Sequence, residues 1–176
     1  MTEPKGHDLH LSQKTFLVFI RLAIGWHLLS EGLGKFFDHT WTSAWYLSNS
    51  AGPFDDLFRK ISNSEALLQM TDNAVTFGLI LAGASLLLGL FTRLGCIIGL
   101  VLLSLFYLSQ PPWGWTPQPG TESNYLIVNK NLIEALGLAA VVAFPTGRFA
   151  GLDSLLHPLF EKYLPRWIIG HSPPQT

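Results

Sequence analysis

The chain has 176 residues, a net charge of -1, 48% hydrophobic and only 13% charged residues, with 12 Phe and 6 Trp. That length suits one domain with a substantial core, and no Lys/Arg-rich run points to nucleic acid. A single cysteine, Cys96, excludes an intramolecular disulfide and any Cys-x-x-Cys redox or zinc site.

Residues 1–14, "MTEPKGHDLHLSQK", form a polar N-terminus. The apolar run after it is longer than a signal-peptide core and lacks a small-residue cleavage site, so it reads as a retained first span. A membrane-crossing helix needs about 20 largely apolar residues. The spans expected on that basis are 15–37, 73–91, 94–108 and 125–144, the second with Thr71 and Asp72 available as caps. Spans two and three are joined so tightly that they must be antiparallel neighbours. Their small residues, Gly78, Gly83 and Gly89 in one and Gly95-x-x-x-Gly99 in the other, allow close helix contact in lipid.

Residues 54–70 and 151–164 have the pattern of amphipathic helices lying on the membrane surface, and residues 145–176 end in a tail expected to be disordered. Lys5, Lys14, Arg93, Arg148, Lys162 and Arg166 fall on one side of such a layout, against Arg59 and Lys60 on the other. The positive-inside rule then puts both termini in the cytoplasm. Trp41, Trp45, Trp113 and Trp115 fall in the outer loops, as aromatic anchors do. The expected fold class is all-α, an integral membrane four-helix bundle with interfacial helices in the first outer loop and the C-terminal tail.

Within the first span, Arg21, His27, Glu31 and Lys35 share one stripe about 120° wide. In the fourth, Lys130, Asn131 and Glu134 share a face about 100° wide. Counting inward from Phe37 and Asn124 gives two depth-matched layers, Glu31 with Lys130 about 9 Å in and His27 with Glu134 about 15 Å in. Ionisable groups at such depth face a partner or a wet cavity, and both readings stay open. The charges either lock spans one and four together as polar glue or line a pocket open to the outer face. Lys35 can snorkel to the outer surface and Arg21 to the inner headgroups.

As a pocket, the set would accept an anion or hydrogen-bond a quinone carbonyl, since Arg21, Lys35 and Lys130 outweigh Glu31 and Glu134. His27 beside a carboxylate could carry a quinone's proton, which makes His27, Glu31 and Glu134 the candidate catalytic residues. Arg21, Trp26, Tyr107, Lys130 and Asn131 are the candidate substrate-binding residues, the two rings supplying surface. His27-x-x-x-Glu31 with Glu134 is too sparse a metal set without a second intramembrane histidine or a Cys pair. Neither haem nor an iron–sulfur cluster is expected. Cys96 reads as a small packing residue.

"RLAIGWHLLSEGLGK" (21–35), "GLFTRLG" (89–95), "YLSQPP" (107–112) and "NYLIVNKNLIEAL" (124–136) together resemble the DoxX family, over roughly residues 14–155. That family includes the DoxD-like small subunit of thiosulfate:quinone oxidoreductase. The resemblance implies a four-helix protein of the bacterial cytoplasmic membrane, serving as the membrane subunit of a quinone-linked oxidoreductase, with quinone as co-substrate. Such a chain would work with a periplasmic or membrane redox partner and could self-associate. The alternatives are a non-catalytic anchor or assembly partner for a redox protein, and a small-anion carrier.

Overall fold

The computed structural model describes residues 10–112, 126–144, 146 and 150–153, and these are built from helices. Expectations that fall on Trp113, Trp115, most of the second outer loop and residues 154–176 lie outside the described residues.

Helix α1 runs Leu11–Phe37, starting earlier than expected. The Gln13 side chain accepts from the His10 N–H at 2.8 Å, satisfying one of the donors that every helix start leaves open. Two short helices follow, α2 (Ala44–Ser48) and α3 (Asp55–Ser62). Helix α4 spans Glu65–Leu88, so the single surface helix expected over 54–70 is divided at Asn63–Ser64. The good helix formers from Glu65 to Met70 carry α4 back well beyond residue 73. Thr71 and Asp72 are therefore inside the helix rather than at its cap. The Asp72 carboxylate instead holds the preceding loop, accepting from the Thr42 hydroxyl at 2.8 Å, the Ser43 N–H at 2.9 Å and the Ser43 hydroxyl.

Helix α4 ends at Gly89, whose left-handed φ of 63° suits glycine. Helix α5 (Thr92–Ser109) follows at once. Helix α6 covers only Lys130–Ala143, 14 residues and about 21 Å. The expected span 125–144 is shortened because Leu126 takes a left-handed φ of 59° and Asn129 is extended. The Asn129 side chain caps the helix by accepting from the Leu132 N–H at 3.0 Å. Among the described residues, α1, α4 and α5 are long and apolar enough to cross a membrane.

Helix α1 packs on α4 and α6, and α5 packs on α4 and α6. Gly25 meets Leu86 and Gly32 meets Leu79, which makes α1 and α4 antiparallel; Gly95 at Ser85 and Gly78 at Leu102 do the same for α4 and α5. Leu28, Leu79, Leu86, Cys96, Leu103 and Leu138 form the shared core. Trp26, Phe77, Leu81, Val101 and Leu136 point outward, an apolar exterior that suits a lipid bilayer.

The 38–64 segment is sewn to the C-terminal end of α5. Tyr46 Oη donates to the Phe106 carbonyl at 2.8 Å, and the Ser50 hydroxyl and Ala51 N–H both donate to Ser109 O, at 2.9 and 3.1 Å. Gln110 Nε2 returns two bonds, to the carbonyls of Tyr46 and Asn49. The last carbonyls of a helix need such donors. Burial pushes the Tyr46 phenol well above its usual value, so it remains a donor across the working pH range. Tyr46→Phe is expected to cost about 1 kcal/mol by removing this hydrogen bond, although the Phe106 carbonyl keeps the Gln110 N–H at 3.1 Å. Thermal unfolding of the purified variant checks this, and an unchanged midpoint would contradict it.

Candidate functional site

The candidate residues fall at two ends of the molecule. The cleft end carries the C-terminus of α1 and the 38–64 segment; the turn end carries the α4–α5 turn.

At the cleft end, His27, Ser30, Glu31, Gly34 and Lys35 line a cleft of about 330 Å³ along α1. Asp38 and Trp41, just past the helix, complete it. Lys35 Nζ donates to Glu31 Oε2 at 2.6 Å, one turn back on the same helix. The same ammonium lies 5.3 Å from the centroid of the Trp41 ring, within reach of a cation–π attraction. The Lys35 side chain is only 17% exposed, so it folds inward over the cleft rather than snorkelling away. Carboxylate and ring hold it there.

His27 Nε2 lies 3.5 Å from Glu134 Oε1, with the glutamate only 15% exposed. This contact joins α1 to α6. Ile24 at Gly137 continues the same antiparallel step, which puts Lys130 level with Glu31. The expected Glu31–Lys130 layer is altered nonetheless. Glu31 takes its hydrogen bond from Lys35, and Lys130 and His27 act on it through their charges. The i,i+4 partner on the same helix is nearer than one anchored on a neighbouring helix.

Depth changes as well. Arg21 lies against Gly89, so the α4–α5 turn is level with Arg21 and the first residues of α1 extend past it. Glu31 is about 15 Å from that level and His27 about 9 Å. Helix α5 is 18 residues long, about 27 Å, so Glu31, not His27, stands at mid-height. Helix α6 starts at that same height.

The other sequence candidates separate from this group. Arg21 is at the turn end, 2% exposed, and donates through Nη2 to Ala150 O at 2.6 Å. It neither lines the cleft nor snorkels. Trp26 is 65% exposed on the far face of α1. Tyr107 Oη donates to Ile127 O at 2.8 Å, and neither ring lines the cleft. Asn131 follows Lys130 in the first turn of α6, half-buried. Ser30, Gly34, Asp38 and Trp41 were missed as site residues. Helical spacing from His27 and Glu31 reaches Ser30, Gly34 and Asp38 directly, whereas Trp41 depends on how the chain turns after Phe37.

Removing Arg21 and adding Asp38 reverses the charge tally. Of the charged side chains that line the cleft, Glu31 and Asp38 stand against Lys35, with His27 beside them. Arg21, one of the three cations behind the expected positive excess, is not among the residues lining the cleft. Among the described residues, no group of three or more His, Cys, Asp and Glu side chains is placed to hold a metal ion. Cys96 is buried in the core.

Asp38 is exposed, and the Thr40 hydroxyl and N–H hold its carboxyl below the usual carboxylate range. A lowered carboxyl stabilises its turn at neutral pH and loses that contribution as pH falls through its own value. In Thr40→Ala the Asp38 titration should move up toward the ordinary range. Carboxyl chemical shifts against pH would show it, and no movement would refute the assignment.

The chain matches no family model, no curated protein and no solved structure.

Proposed function

We propose that this chain is a multi-pass, DoxX-like protein of the bacterial cytoplasmic membrane, an integral membrane four-helix bundle with both termini in the cytoplasm. In this reading α2 and α3 lie at the outer surface, with Trp45, Phe54 and Leu57 exposed toward the lipid interface. The protein acts as the membrane subunit of a quinone-linked oxidoreductase, and the cleft along α1 takes the quinone head group. The carrying observation is the His27–Glu134 contact beside the Glu31–Lys35 pair, within a helix long enough to span the bilayer.

The cleft volume is at the small end of ligand pockets, matching a single ring, and its lining combines a cation, an imidazole and an aromatic face. Quinone supplies the two-electron chemistry, and the electrons come from a partner subunit. Lys35 can donate to a ring carbonyl, Trp41 offers a face for stacking, and His27 with Glu134 can exchange the proton that accompanies each electron.

Quenching of Trp fluorescence by a short-chain quinone, with the protein in lipid nanodiscs, tests the reading. His27→Gln and Glu134→Gln should each weaken binding about tenfold, equivalent to roughly 1.4 kcal/mol. Trp41→Phe should lose part of the quenching while the other variants keep its amplitude. Equal affinity in wild type and both charge variants would sink the proposal.

A further inference from the structure

The geometry points to a second site, for an anion of the phosphate class, at the turn end, where the Arg21 guanidinium meets the N-terminus of α5. It is independent of the cleft and of the quinone reading.

Arg21 is 2% exposed, and of its donors Nη2 reaches Ala150 O while Nε and Nη1 have no acceptor. A buried guanidinium with open N–H groups is costly, because each donor has given up water for nothing. The carboxylate whose charge acts on it is Asp153, but both oxygens of that group are engaged elsewhere. Asp153 accepts from the Phe91 N–H at 2.8 Å, the Thr92 N–H at 3.2 Å and the Thr92 hydroxyl at 2.9 Å. Those donors are the start of α5, an 18-residue helix, and helix starts attract anions through their open N–H groups and dipole.

Asp153 therefore occupies an anion site at the helix start and acts on Arg21 through its charge alone, leaving Nε and Nη1 without an acceptor. Gly89 keeps the two halves close. A Cβ there would come within 3.2 Å of both Nη1 and Nη2 and 2.6 Å of the Gly151 Cα, so the guanidinium rests directly on the turn. The short segment over the site is held by the same groups, through Arg21 to Ala150 O and the Asp153 N–H to Gly89 O at 2.8 Å.

Placed as it is, the two-oxygen Asp153 carboxylate puts its three hydrogen bonds on the helix start and none on the arginine fork. A phosphate oxyanion has more oxygens, in a geometry that a guanidinium binds through paired N–H groups. It enters by displacing Asp153 and the Ala150 carbonyl, so residues 150–153 act as a tethered internal ligand. The shared chemistry is a phosphate monoanion or dianion, free or on a lipid headgroup. Because the resident ligand is intramolecular, free phosphate must compete with an effective concentration on the order of millimolar.

The test uses the full chain, delipidated in neutral detergent, titrated with inorganic phosphate against a chloride control of equal ionic strength. In parallel it is placed in nanodiscs of phosphatidylcholine with and without phosphatidic acid. Thermal unfolding is the readout, with native mass spectrometry for retained lipid. Stabilisation by phosphate alone assigns the site to the free anion, and stabilisation only by phosphatidic acid assigns it to the headgroup. In Asp153→Asn, which keeps a capping oxygen but loses the competing charge, the phosphate midpoint should fall at least threefold. Arg21→Lys, which keeps the charge but not the fork, should weaken the response at least threefold, and Arg21→Met should abolish it. The proposal is overturned if neither phosphate nor phosphatidic acid stabilises wild type, or if the stabilisation persists undiminished in Arg21→Lys and Arg21→Met.

Discussion

Gly83→Val is expected to lower the stability of the purified protein by about 3 kcal/mol, the upper part of the range for overpacking. At roughly 2–4 °C per kcal/mol for a chain of this size, thermal unfolding should begin about 10 °C earlier. The reason is local. A Cβ at Gly83 would press on the Leu29 backbone N, 2.7 Å from its Cα and Cβ. Main-chain atoms inside a helix cannot rotate out of the way, so α1 and α4 must separate along the longest shared face of the molecule. Separation also loosens the packing of Leu28 on Leu79 and Leu86, which have almost no exposed surface. Gly34→Ala is the control. Nothing lies within 4 Å of its Cβ position, and alanine is the better helix former by about 1 kcal/mol. It should be neutral or stabilising, and equal losses at the two positions would contradict the close approach.

The second large effect belongs to Asp153→Ala. Its carboxylate is the acceptor for three donors at the start of α5, and its charge is the one that acts on buried Arg21. Hydrogen bonds to a charged group contribute about 1.5–3 kcal/mol each, and an uncompensated buried charge costs about 3–5 kcal/mol. These losses overlap, so a drop of about 3–5 kcal/mol is expected from the alanine variant. Asp153→Asn, which retains one acceptor, should lose about half as much. Chemical or thermal unfolding of both variants in detergent decides the matter. A change under about 0.5 kcal/mol in Asp153→Ala would mean that the turn is held by other groups.

Span-length apolar runs announced α1, α4 and α5 directly, because length and hydropathy are properties of a segment alone. Helix ends were less legible. Polar helix formers such as Glu65 and Gln69 extend α4 without adding hydropathy, and Leu126 and Asn129 shorten α6 through backbone conformations that composition does not reveal. The His27–Glu134 contact follows from helical phase and antiparallel counting, both periodic quantities. The Glu31–Lys130 pair was displaced by a nearer partner, Lys35, already present at i,i+4. Arg21 shares the angular stripe of His27 and Glu31, yet it serves a different end of the protein. Phase gives the face of a helix, whereas height depends on where the neighbouring helices stop. Trp41 was visible as an aromatic in a loop, and only the turn after Phe37 brings it under Lys35.

The turn after α4 has a consequence in time. Two of its three residues, Gly89 and Phe91, take left-handed conformations, with φ of 63° and 51°, and at Phe91 a side chain makes that conformation costly. The group that secures Phe91 and Thr92 there belongs to residue 153, sixty-two positions after Phe91. A nascent chain delivers its residues in order, at about 5–20 per second. Helices α4 and α5 thus leave the ribosome several seconds before the residue that secures the bend between them. They can pair early, but the hairpin reaches its final form only once residue 153 has arrived, so closure of this turn belongs to a late stage of assembly.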